Sequence, residues 1–240
     1  MVRADGKGIP VEGPLTAALD VDAVLFDAYG TLFDVASAAQ RNSARLGERW
    51  PAFAELWRRK QLEYTWLRSL TGHYVDFWHV TGESLDYAMR SFRLDNPGLR
   101  AALMEQYLNL DAYADVPEAL ARLRGAGKRT ALLSNGSPSM LIAATNGARL
   151  SGLLDPPISV DAVQVFKPHP RVYQLAVDRL ATPAERICFV SANGWDAWCG
   201  AAFGLRAVWV NRGGAPTEGL PGAPTAIVSG VGDVPTLLGL

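Results

Sequence analysis

At 240 residues the chain is long enough to bury a substantial core, as one domain with an insertion or as two small domains. Hydrophobic residues make up 49% and charged residues 20%, the balance of a soluble globular protein. With 23 basic and 24 acidic residues the net charge is -1, which offers no global field to nucleic acid or to an anionic membrane surface and leaves only a local basic pocket open.

Residues 1–19 form an N-terminal extension with Gly and Pro and no clear period. The opening MVRADGKGIPVEGPLTAALD lacks the apolar stretch of a signal peptide. No run approaches the roughly 18 apolar residues of a membrane span, so a cytoplasmic protein is expected. VDAVLF leads to Asp27 and predicts a buried first strand. From about Asp34 to Tyr107 no strand pattern follows, while AFAELWRRKQLEYTWLRSL and LRAALMEQYL have helical period. A crossover between parallel strands needs one helix. Several helices in one connection therefore predict a helical cap domain at residues 34–107, set over the strand end that carries Asp27. Beyond it, RTALLS to Ser134, ISV to Val160, RICFVS to Ser191, RAVWV to Val210 and TAIVS to Ser229 predict further strands. Between them lie helical stretches: PEALARLRGAG with Gly127 as its stop, PRVYQLAVDRL opening at Pro170, and WDAWCGAAFGL. This alternation predicts an α/β fold: a Rossmann-like parallel-sheet core built from residues 20–33 and 108–240, with the α-helical cap inserted. Cys188 and Cys199 have no framework spacing and are expected to be reduced packing residues.

Ligands of open parallel sheets bind beyond the carboxyl ends of the strands. At those ends the chain has Asp27 and Thr31 in FDAYGTLF, Ser134 and Asn135 in LLSNGSP, Lys167 in VQVFKPHP, and Ser191, Asn193 and Asp196 in SANGWD. Lys167 is one of only four lysines, and a place between Phe166 and Pro168 is a poor one for routine surface charge. Each piece alone has an ordinary explanation. An Asp before Gly-Thr caps a turn, Ser-Asn-Gly is a stock turn, Asp196 caps a helix, and Arg58 beside Arg59 and Lys60 is a solvated face. Four strand ends in order, each with a polar group, and a cap inserted over the first, outweigh those explanations.

In order and spacing, FDAYGTLF, LLSNGSP, the FKPHP lysine and VSANGWD resemble the four motifs of the haloacid dehalogenase superfamily. Within it, the stretch from about Val21 to Arg212, including LWRRKQLEYTWLRSL, is similar to the L-2-haloacid dehalogenases. The resemblance implies covalent catalysis by an aspartate nucleophile. Phosphatases of the superfamily carry a second Asp two residues on, which protonates a leaving alkoxide. Here that place holds Tyr29, and a departing halide needs no proton. The implied chemistry is hydrolysis of short L-2-haloacids to inverted 2-hydroxy acids through an Asp27 ester, with no metal or other cofactor. The resemblance implies that Asp27 attacks C2 while Lys167, Thr31 and Ser134 hold its carboxylate. The substrate carboxylate is expected against the backbone near Ala28 and Tyr29 and the Ser134 hydroxyl, and the halide product against Arg58 and Asn135. Tyr29, Leu62, Phe77 and Trp195 are expected to line the rest. Ser191 stands near the first place of an acidic pair that phosphatases use for metal, while Asn193 and Asp196 orient Lys167 and the hydrolytic water. Ala28 departs from the larger apolar residue common in the family. A homodimer is expected. Two rival readings are a metal-dependent phosphatase of the same superfamily and a non-catalytic anion-binding module. Tyr29 and the single acid of SANGWD argue against the first, and a buried aspartate facing an anion argues against the second.

Overall fold

The computed structural model describes residues 18–240, so nearly all of the extension expected at residues 1–19 lies outside the described residues. Strand β1 (Ala23–Phe26) is four apolar residues, all buried. A helical insertion follows: two short helices, α1 (Ser37–Arg41) and α2 (Ser43–Leu46), then α3 (Trp50–Thr71), α4 (Phe77–Ser91) and α5 (Pro97–Leu108). Their limits are local chemistry. Helix α3 has Pro in its first turn and stops at Gly72, whose φ of 70° an L side chain adopts only with strain. The side chains of Asp76 and Asn96 accept from the His79 and Leu99 amides and so cap α4 and α5.

The chain then alternates through α6 (Val116–Gly125), β2 (Arg129–Ser134), α7 (Pro138–Gly147), β3 (Ile158–Ser159), α8 (Pro170–Leu180), β4 (Ile187–Ser191), α9 (Gly194–Phe203), β5 (Arg206–Val210), β6 (Ala226–Val228) and α10 (Val234–Leu237). The six strands form one sheet in the order β3-β2-β1-β4-β5-β6, and every pairing is parallel. Burial on both faces explains why the strands are continuous apolar runs and not alternating ones. Strand order reverses at β1, which lies between β2 and β4 with Phe26 level with Leu132 and Val190. The carboxyl ends of these three strands meet at that switch point, where such sheets bind ligands.

The insertion leaves and rejoins the core through two adjacent segments. Asp34 donates its amide to the Asp111 carbonyl at 2.8 Å, and Tyr113 donates to Leu32 at 3.0 Å. The result is an α/β core with a helical cap. Two strands are shorter than their apolar runs predict. Val160 leaves β3 to open a 3-10 turn, and Ser229 leaves β6 because its hydroxyl and amide both bond the Asp233 carboxylate. Among the described residues no helix is long and apolar enough to cross a membrane.

Candidate active site

Asp27 is the first residue past β1 and is 6% exposed. Gly30, at a φ of 90°, turns the chain so that Thr31 comes back onto it. The Thr31 hydroxyl donates to Asp27 Oδ2 at 2.9 Å and accepts the Ala192 amide at 2.8 Å, tying the ends of β1 and β4 together. Asn193 Nδ2 also donates to Oδ2, at 2.8 Å, and Ser191 Oγ stands 3.5 Å from it. Among the described residues Oδ1 meets a single donor, Lys167 Nζ, at 3.1 Å. Lys167 is 1% exposed, and its ammonium bridges to Asp196 Oδ2 at 2.9 Å. Burial works to lower the Lys167 pKa, but Asp196 and Asp27 outweigh it and the net direction is up. Burial pushes the Asp196 carboxyl up, and Lys167 and the phenol of Tyr173 pull it only partly back. Asp196 makes no helix cap. It is fully buried, with Oδ1 receiving Tyr173 Oη at 2.7 Å and Oδ2 receiving Ser191 Oγ at 3.2 Å.

The cap supplies the opposite wall. Arg58 of α3 donates through Nη2 to the Tyr29 carbonyl at 3.2 Å and lies 3.5 Å from Asn193 Oδ1. Leu62, one turn on, faces the same space together with Phe77 of α4, and the core contributes Tyr29, Ser134, Asn135 and Trp195. The Tyr29 ring packs on Phe77 and Tyr107 at 5.4 and 5.6 Å between centroids. Trp195 meets Trp66 of α3 edge to face at 5.4 Å and closes the rim. The enclosed space is about 10 Å³, room for roughly one water.

The structure brings most of the expected residues to this cavity and alters three expected contacts. The Ser134 hydroxyl lines the pocket but bonds Gly136 N, at 3.1 Å, and not Asp27; its own hydrogen stays free for a ligand. Asn193 holds Asp27 and Arg58 and does not touch Lys167, because its amide is turned toward the β1 end; Asp196 alone of that pair orients the lysine. Ala28, Thr31, Ser191 and Asp196 stand behind the lining; Thr31 and Ser191 reach Asp27, and Asp196 reaches Lys167. Among the described residues the Ala28 and Tyr29 amides donate to no other backbone carbonyl, which leaves two N–H groups at the end of β1 for an anion. Asn135 Oδ1 accepts the Lys167 amide at 2.9 Å, and its Nδ2 is kept for the pocket. Tyr173, Gln61 and Tyr107 belong to the same bonded network and are absent from the expected set. All three lie in buried helical stripes, where periodicity reads as packing. No group of three or more His, Cys, Asp or Glu able to hold a metal ion occurs among the described residues, and an ammonium stands between the two carboxylates.

The fold and this strand-end cluster define a hydrolase that works through a buried aspartate. Residues 21–204 match the family model of the haloacid dehalogenase-like hydrolases, and the chain belongs to that family and, within it, to the (S)-2-haloacid dehalogenases. It is 46% identical over 197 residues to (S)-2-haloacid dehalogenase 4A of Burkholderia cepacia, covering 82% of this chain and 85% of that one. It is 42% identical over 219 residues to (S)-2-haloacid dehalogenase 1 of Pseudomonas sp. strain CBS-3, covering 91% and 96%. The L-2-haloacid dehalogenase of Xanthobacter autotrophicus with chloropropionic acid covalently bound superposes with a TM-score of 0.84 at 38% identity, covering 90% of this chain and 98% of that one.

Proposed function

We propose that the protein hydrolyses short L-2-haloalkanoic acids to 2-hydroxy acids of inverted configuration, with Asp27 as nucleophile. The observation that carries this reading is the division of labour between the two Asp27 oxygens. Thr31 and Asn193 hold Oδ2, whereas among the described residues Oδ1 meets only Lys167, so Oδ1 is the freer to attack. It displaces the halogen from the opposite face of C2. The C2–halogen electron pair leaves with the halide, and C2 inverts. Arg58 and Asn135 Nδ2 receive the halide, while the Ala28 and Tyr29 amides and the Ser134 hydroxyl receive the substrate carboxylate. Oδ2 is then the ester carbonyl oxygen. The Thr31 and Asn193 donors are already in place for the charge that develops on it when water attacks the Asp27 carbonyl carbon. Breaking the bond from that carbon to Oδ1 releases the product, with Oδ1 as its hydroxyl oxygen and a solvent oxygen left on Asp27. Water gives up two protons: one completes the product hydroxyl, and the other passes by way of the Ser191 hydroxyl, 3.5 Å from Asp27 Oδ2 and 3.2 Å from Asp196 Oδ2, to Asp196 and then to solvent. Asn193 is an amide and takes no proton; burial keeps the Asp196 carboxyl receptive. Burial also holds the Tyr29 phenol well above its ordinary pKa, so it stays neutral where a phosphatase has its acid.

We assign residues 34–107 to the cap and residues 20–33 and 108–240 to the core. We also read the protein as a cytoplasmic homodimer, with Leu67 and Leu70 of α3, 49% and 83% exposed, inside the contact. Sedimentation of the parent as a dimer and of Leu70→Glu as a monomer supports this reading; a monomeric parent refutes the dimer, and an unchanged dimer of the variant refutes this contact.

Two measurements test the chemistry. Purified protein should release chloride from chloroacetate and from L-2-chloropropionate but not from the D isomer, with no loss in EDTA, because Lys167 already supplies the cation between the carboxylates. In a single turnover with excess enzyme in H₂¹⁸O, label should enter the peptide that contains Asp27 and the hydroxy acid should stay largely unlabelled. Label in the first-turnover product with none in the peptide would make Asp27 a general base for direct water attack.

A further inference from the structure

The buried stripe of α3 runs Phe53, Trp57, Gln61 and Thr65, four residues apart, and Gln61 is 1% exposed. A primary amide in such a place costs stability unless its polar atoms are bonded. Here both are. Gln61 Nε2 donates to Thr81 Oγ1 at 2.8 Å, and that hydroxyl donates to the Phe77 carbonyl at 2.7 Å within α4. Gln61 Oε1 accepts twice, from Tyr107 Oη of α5 at 3.1 Å and from Arg58 Nη1 at 2.8 Å. The amide thus joins the three long cap helices at one point and delivers an acceptor to the guanidinium.

Arg58 is held from both sides. Nη1 gives one hydrogen to Gln61, and Nη2 turns toward the Tyr29 carbonyl and Asn193 Oδ1. Tyr107 also stands against the guanidinium, and among the described residues the Nε hydrogen has no acceptor and is left for an incoming anion, since a guanidinium carries five hydrogens in a fixed fork. An acceptor at position 61 has to meet a further condition. A carboxylate there would bond the guanidinium as well as the amide does, but would cancel its charge beside a pocket with room for about one water, where charge contacts are stronger than in bulk solvent. A neutral acceptor fixes the fork and leaves the full positive charge for the halide.

We infer that Gln61 is a positioning residue for the dehalogenation step: with Tyr107 it sets the orientation of Arg58, and by being neutral it preserves the charge that receives the departing halide. This rests on Arg58 as the halide receptor. The full-length variants Gln61→Leu and Gln61→Glu are compared with Arg58→Lys by their melting midpoints, by kcat and KM on chloroacetate and bromoacetate, and by inhibition with added chloride. The expected result for Gln61→Leu is a kcat on chloroacetate lower by about tenfold or more, a smaller loss on bromoacetate, whose leaving group needs less help, and KM within about threefold. Chloride inhibition weakens in parallel. Gln61→Glu, closer in shape, loses more than Gln61→Leu. A purely structural role predicts equal losses on both substrates with chloride inhibition unchanged, and that outcome overturns the inference, as does a kcat within about threefold of the parent for both variants. If neither variant folds, Tyr107→Phe removes one donor to the same oxygen and should show a milder loss with the same dependence on halogen; no dependence overturns the inference. Full activity in Arg58→Lys would sink the halide-receptor reading itself. An inactive Arg58→Lys beside fully active Gln61 variants would sink only the inference about Gln61.

Discussion

The guanidinium of Arg58 is engaged by the Tyr29 carbonyl, Asn193 and Gln61 while it faces the cavity, a set of directions that a single ammonium cannot reproduce. Arg58→Lys therefore keeps the charge and is expected to lose more than tenfold in kcat on chloroacetate, more than about 1.4 kcal/mol of transition-state stabilisation. A loss below tenfold in steady-state rates would place halide stabilisation elsewhere. Tyr29 gives the opposite expectation. Its hydroxyl is buried and has no hydrogen-bond partner among the described residues. Removing an unsatisfied hydroxyl from a packed ring forfeits no bond, so Tyr29→Phe should unfold at the same urea concentration as the parent or a higher one. A lower midpoint would reveal a partner for the phenol. At this scale the sequence exposes residues whose polarity contradicts their place. Asp27 follows the apolar run of β1 and Lys167 follows Phe166 in the loop between β3 and α8, places where a charge has no packing role. Tyr173 and Gln61 remain hidden because an amphipathic side chain on a buried helical stripe has the same period whether its tip is bonded to a catalytic group or to nothing.

The turn after β2 shows how an element shapes the pocket. Gly136 follows Ser134 and Asn135, and its carbonyl accepts Ser159 Oγ at 2.7 Å, which fixes the turn against β3. A Cβ on Gly136 would come within 2.9 Å of the Tyr29 ring and of Leu141. The backbone is held and Leu141 is buried in α7, so the ring would have to move into the cavity. Gly136→Ala is expected to destabilise by about 1–3 kcal/mol in denaturant melts, the usual cost of overpacking, and to lower activity further by closing the site. Parent-like stability and rate would mean that the Tyr29 wall yields. The Ser-Asn-Gly turn was legible as a turn; its glycine as a wall of the pocket was not, because the contact crosses from the end of β2 to the end of β1. Strand ends follow the same logic. β2, β4 and β5 match their apolar runs because both faces are covered, whereas β3 and β6 end early at Ser159 and Val228, on the sheet edges, where side-chain bonds from Ser159 and Asp233 take over the backbone.

Across the whole molecule, the sequence makes the layered plan legible through six apolar runs and one connection too long for a single crossover. The cap's grip on the core is not legible, since it depends on pairs far apart in the chain, such as Ser69 Oγ to the Phe166 amide and Trp66 to Trp195. That grip seals the buried triad of Asp27, Lys167 and Asp196, and the seal makes fold stability depend on pH through one ammonium. In the folded parent the two carboxylates raise the Lys167 pKa above its ordinary 10.5, so the proton is held more tightly folded than unfolded. Its contribution to stability is therefore complete below about pH 10.5 and is lost as pH rises through the folded value. In Lys167→Met the carboxylates are buried together without a cation. Their pKa values rise, and the folded variant takes up a proton that the unfolded chain releases near pH 4. A raised carboxyl pKa costs stability as pH rises through it. The gap in unfolding free energy between parent and variant should therefore widen from pH 5 to pH 9, toward about 3–5 kcal/mol, and narrow again above about pH 10.5. Urea melts of both proteins at pH 5, 7, 9 and 11 measure that gap directly. A gap that is constant across these conditions would mean that the ammonium fills space beside Asp27 and Asp196 without keeping them charged, and the nucleophile would then need another source for its negative charge.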